Sequence, residues 1–170
     1  MGTLTVDNLN LKGSGSVSSL GRILQVVQTA KTDTFTSSSS SFTDITGLSV
    51  TITPSSTSSK VYVIVDTNTS TASGNNAGIK LLRGSTAIAV GDSAGSRPQA
   101  SSQARVNDTN AALNHSINFL DSPNTTSATT YKVQMFSQSG TVGINRTNAD
   151  SDSTAIARTF SSITVMEVRG

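Results

Sequence analysis

Apolar residues in this chain fall in short runs that alternate with Ser and Thr, and no stretch sustains the period of a helix. That pattern restricts the chain to strands joined by polar turns. A first strand is expected from Arg22 to Thr29, carrying Ile23, Leu24, Val26 and Val27. Phe35 and Phe42 flank Ser37–Ser41, read as a loop between two short strands. Leu48, Val50 and Ile52 share one face of a strand that Pro54 stops, and Ser55–Ser59 is a turn. Lys60–Asp66 places Val61, Val63 and Val65 on one face and Tyr62 and Ile64 on the other, which predicts burial on both sides.

Residues 68–76 read as a polar loop. Gly84-Ser85 then sits between Ile79–Arg83 and Thr86–Ala89, and a two-residue connection beginning with Gly signals a type II′ hairpin. Val90–Asn110 reads as a long polar loop. Ala111–Leu120 reads as the central strand, with Leu113, His115, Ile117 and Phe119 on one face. Further strands are expected at Tyr131–Phe136, Val142–Asn145 and Ser161–Val168. About eight strands at intervals of roughly 8–12 residues, with no helix between them, predict an all-β antiparallel sandwich or jelly roll. Residues 21–170 form that domain. Residues 1–20 form an extended N-terminal arm and linker, in which Leu4, Val6, Leu9 and Leu11 precede Gly13-Ser14-Gly15-Ser16.

Composition narrows the function classes. Hydrophobic residues make up 34% of the 170 residues, charged residues only 13%, and the net charge is +2. Lys and Arg are scattered singly, whereas binding to nucleic acid needs clustered cations against phosphates. No apolar run approaches the ~20 residues of a membrane span. With no cysteine, stability must come from the core or from assembly. The first ten residues lack a basic and an apolar region of the secretory kind, so synthesis in a cytoplasm without export is expected.

Three constellations invite chemistry. Gly91-Asp92-Ser93-Ala94-Gly95 matches the nucleophile pattern G-x-S-x-G, with Asp108 and His115 following in hydrolase order. That elbow needs a strand before it and a helix after it; here Ser96, Arg97, Pro98 and polar loop follow. Asn148, Asp150 and Asp152 have part of the spacing of a calcium loop, without its central Gly or terminal Glu. Gly13-Ser14-Gly15 lacks the Lys-Ser/Thr of a phosphate loop. The chain is accordingly read as non-enzymatic, with no catalytic, cofactor or metal site. His115, the single histidine, has a structural reading and a sharper one, a ring of three on a trimer axis. In that second reading Leu113, His115, Ile117 and Phe119 form the axis face.

Three segments also carry a family resemblance. Thr3–Leu9 resembles the first residues of small virion proteins of tailed bacteriophages. Gly21–Gln28, with Lys31–Phe35 after it, resembles the opening of a β-domain of phage fibre and decoration proteins. Ser161–Val168 is similar to the last strand of that domain, and Leu81–Ser85 and Gly91-Asp92 fit between. The resemblance implies a homotrimeric jelly-roll protein of the virion, made in the host bacterial cytoplasm. Lacking stalk, heptads and collagen-like repeats, it resembles a capsid decoration or cement protein more than a long fibre. Leu4, Val6, Leu9 and Leu11 would then anchor it to the major capsid protein or another virion protein. The alternative is a tail-fibre or fibre-tip protein that binds a host receptor or surface glycan.

Overall fold

A computed structural model describes residues 22–170. These residues form eleven strands: β1 Ile23–Lys31, β2 Phe35–Ser37, β3 Thr43–Ile52, β4 Lys60–Thr71, β5 Asn75–Arg83, β6 Thr86–Ile88, β7 Ser102–Val106, β8 Leu113–Asp121, β9 Thr129–Ser137, β10 Val142–Ile144 and β11 Ser161–Val168. No helix occurs among the described residues.

The strands divide between two antiparallel sheets. In the first, the principal order is β1-β11-β4-β8, and β10 and β2 extend it beyond the end of β11. In the second it is β3-β9-β5-β7, with β6 sharing the free edge of β5. Numbered in chain order without the short strands β2, β6 and β10, the sheets run 1-8-3-6 and 2-7-4-5. That connectivity is a jelly roll, the expected fold class.

The core lies between the sheets and follows the alternation. Val61, Val63 and Val65 of β4 and Ile163 and Val165 of β11 face Leu48, Val50 and Ile52 of β3 and Ile79 and Leu81 of β5. Tyr131, Val133 and Met135 of β9 complete the second wall, all fully buried. Each such side chain contributes roughly 1.5–3 kcal/mol by leaving water. The Gly84-Ser85 hairpin forms as expected: Arg83 pairs with Thr86, and Gly84 has φ 57° while Ser85 does not take a positive φ, as type II′ requires.

Four expectations are corrected. β4 does not end at Asp66 but continues to Thr71, so most of the expected loop 68–76 is strand, with Thr67, Thr69, Ser70 and Thr71 buried. Thr is β-branched and suits a pleat, and β8 on one edge and β10 on the other pair with this extension. β7 interrupts the expected loop 90–110; it pairs with β5 and buries Val106. Among the described residues β8 is an edge strand, not a central one, because β4 alone pairs with it. Tyr62 and Ile64 are only half-buried, since they point away from the second sheet. The arm expected at residues 1–20 lies outside the described residues.

On the outward face of the second sheet, Gly78 pairs with Phe136, whose ring lies across the glycine and against Phe42 at 4.9 Å between centroids. Lys80 Nζ caps Phe42 at 3.7 Å from the ring centre. A Cβ at Gly78 would stand 2.1 Å from Phe136 Cε1. Gly78→Ala must therefore swing the ring off Phe42, and we expect a loss of about 1–3 kcal/mol in urea unfolding. Combining it with Phe136→Leu should cost less than the sum of the two single changes.

Candidate functional site

The groups that the sequence offers for chemistry are built into the sandwich. His115 on β8 is 2% exposed. Its Nε2 lies 2.7 Å from Thr69 Oγ1 of β4, and its Nδ1 lies 2.9 Å from Ser102 Oγ of β7. The imidazole thus joins the first sheet to the second. Burial favours the neutral ring and pushes its pKa down to about 4. Ile117 is in the core and Phe119 packs against it. The row Leu113, His115, Ile117, Phe119 consequently faces the opposite sheet of its own chain. As a trimer-axis face it is corrected: alternation turns Ser116, Asn118 and Leu120 outward instead.

The hydrolase set does not assemble. Residues 91–99, Ser93 among them, form an exposed loop with no helix after it. Asp108 is exposed and accepts a hydrogen bond from the Asn110 backbone N–H, while both nitrogens of His115 are engaged by Thr69 and Ser102. In the 148–152 loop, Asp150 forms ion pairs with Arg146 and Arg158. Two cations therefore sit where a calcium ion would have to bind. Among the described residues no cluster of His, Asp or Glu has the grouping of a metal site.

Two further charged centres, which sequence reasoning missed, are also clasps. Asp121 at the end of β8 accepts two hydrogen bonds from Arg83 Nη1 at 2.8 and 2.9 Å, and one from Tyr131 Oη at 2.7 Å. It ties the first sheet to β5 and β9 of the second. Burial, reinforced by the bond to Asp121, raises the pKa of the Tyr131 hydroxyl. Glu167 on β11 is 1% exposed and accepts from Ser55 N–H and Oγ at 2.7 and 2.6 Å and from Gln25 Nε2 at 2.6 Å. Burial alone would raise its pKa; the hydrogen bonds from Ser55 and Gln25 prevail and hold it at about 2. Nothing in local sequence marks these two acids, because their partners lie up to 142 residues away.

Five large apolar side chains, in contrast, stand exposed among the described residues. Ile23, Leu24 and Val26 of β1 are 51%, 40% and 55% exposed, Leu120 of β8 53% and Phe160 60%. The first four lie on one sheet, and the register aligns Val26 with Met166, Met166 with Tyr62, and Tyr62 with Leu120. An apolar row thus crosses the outer face of all four principal strands. Sequence alternation alone gives each strand's faces but not this register.

No family model and no curated protein matches the sequence. Solved structures of similar shape include infectious bursal virus derived T=1 particles, at 14% identity and TM-score 0.46, covering 98% of this chain and 45% of that one. The infectious bursal disease virus Gt strain has 14% identity and TM-score 0.47, covering 98% and 47%. A VP2 protein of the same virus in derived T=1 particles has 13% identity and TM-score 0.43, covering 98% and 45%. The present chain spans less than half the length of these chains. At this level the likeness assigns it neither role nor partner.

The environment of His115 predicts a pH dependence. The unfolded chain takes up a proton there near pH 6.5, whereas the folded chain resists until about pH 4. Stability should therefore fall as pH drops from 6.5 towards 4 and be unaffected by this group above that window. Thermal melts at several pH values should show this slope, and His115→Gln should flatten it while lowering the melting temperature at neutral pH. An equal slope in the variant would show that the ring is not the titrating group.

Proposed function

We propose that this chain is a structural, non-enzymatic protein of a tailed-bacteriophage virion, a homotrimer fastened to the particle by its N-terminal arm, and most specifically a capsid decoration or cement protein. The observation that carries the reading is a jelly roll whose His115, Asp121 and Glu167 are all engaged in holding the sandwich together, while an apolar row crosses its exposed sheet face. Such a molecule is built to be packed against. The sequence resemblance supports the particle: the two segments that resemble the first and last strands of the phage domain are neighbours here, with Val26 opposite Met166 and Gln28 opposite Thr164. In this reading Leu4, Val6, Leu9 and Leu11 grip the major capsid protein or another virion protein by adding a strand to one of its sheet edges.

A second reading, a fibre-tip protein for a receptor or glycan, draws on Phe160. It is the one strongly exposed aromatic ring among the described residues, at the edge of the loop over residues 145–159. Aromatic rings of that kind stack on sugars.

The two separate experimentally. Particles banded in a density gradient should contain the protein in stoichiometric amount. Purified full-length protein should rebind particles stripped of it and leave host cells bare. Removal of residues 1–15 should leave the melting temperature unchanged and abolish rebinding. Full occupancy by the truncated protein would sink the anchor, and adsorption to cells in place of particles would favour the fibre-tip reading.

A further inference from the structure

The apolar row on the first sheet has a charge pattern beside it. The outward positions of Leu24–Ala30, Lys60–Asp66, Ser116–Leu120 and Ser162–Val168 hold only two charged residues, Lys60 and Asp66. These two lie on the same strand, at the two ends of its outward stretch, roughly 20 Å apart at the rise of a strand. Tyr62 and Ile64 lie between them, each half-buried, and Val26 and Leu120 flank the row at 55% and 53% exposure.

We infer that this face packs on the same face of a second copy, with the two β4 strands antiparallel about a two-fold axis beside Val63. A two-fold contact requires a surface complementary to itself, so that whatever residue i meets also meets residue i. Opposite charges equidistant from an apolar centre meet that requirement. In this arrangement Lys60 faces the second copy's Asp66, and Tyr62 packs on the second copy's Ile64. The opposite orientation sets Lys60 against Lys60 and Asp66 against Asp66. Sheets stacked face to face lie about 10 Å apart and cross at about 30°, an offset that the long Lys stem can span. Among the described residues nothing pairs with the outer edges of β1 and β8, and the contact uses the face and not those edges. The inference rests on the self-assembly part of the proposed function but uses a contact separate from any that closes a trimer.

The mass of the full-length chain in solution, measured by sedimentation equilibrium over a range of concentrations, tests it in multiples of 17.5 kDa. The pair alone gives two copies; the pair joined to a trimer gives six. Lys60→Asp or Asp66→Lys alone places like charges in contact and should halve the mass, and the double swap should restore it. Leu120→Lys, at an exposed position outside the charge pair, should also halve it. Circular dichroism and melting temperature would show that each variant is folded. A wild-type mass of one or three copies overturns the pairing, and three leaves the trimer standing. Two copies uphold the pairing and overturn the trimer. An even mass that no variant changes overturns the assignment of the contact to this face.

Discussion

The pairing of β4 along both its edges is the constraint on which the remainder of the structure depends. β8 runs beside it from Val61 to Thr69, β11 covers the other edge from Lys60 to Asp66, and β10 follows at Thr69–Thr71. Its inward side supplies Val61, Val63 and Val65, then Thr67, Thr69 and Thr71. The change from Val to Thr along one face divides the interior. The valines meet the apolar wall of β3, β5 and β9. Two of the threonines meet polar partners: Thr69 holds His115, and Thr67 lies 2.9 Å from Ser161, whose hydroxyl donates to Asn145. One strand thus sets both an apolar core and a hydrogen-bonded one. The second is what lets a chain with 34% hydrophobic residues fill a sandwich.

That division also explains what could be read from sequence. The Val alternation of β4, the run Leu48–Ile52 and the strand Ser161–Val168 were legible because apolar periodicity is a local signal. The Gly84-Ser85 hairpin was legible because turn chemistry is local as well. The Thr half of β4 was not, since Thr and Asn score as loop residues when only apolar side chains are counted. Their alternation was the available cue, as Thr67, Thr69 and Thr71 all turn inward. β7 was missed for a similar reason: in Ser102–Val106 the buried apolar side chain is Val106.

For the candidate site, the sequence allowed exclusion more readily than placement. The G-x-S-x-G pattern could be set aside because its strand–turn–helix setting was absent, and the structure shows an exposed loop in that place. The face bearing His115 was recognised as apolar, yet whether it turned to the core or to a second copy depended on its register against β4. That is a question of topology, and it is decided by long-range pairing such as Ile117 with Val65. The clasps at Asp121 and Glu167 likewise depend on strands distant in sequence.

The distribution of polar groups bears on function as well. His115 has Thr69 and Ser102 at its two nitrogens, Asp121 has Arg83 and Tyr131, and Glu167 has Ser55 and Gln25. Each therefore holds strands together, two of them across the gap between the sheets. The outward face of the first sheet is arranged differently: Val26, Met166, Tyr62 and Leu120 come from four strands and meet only because the register brings them into line. Four independent strands contributing apolar side chains to one row is a property of the folded surface, and it is this row that the proposed packing takes out of water.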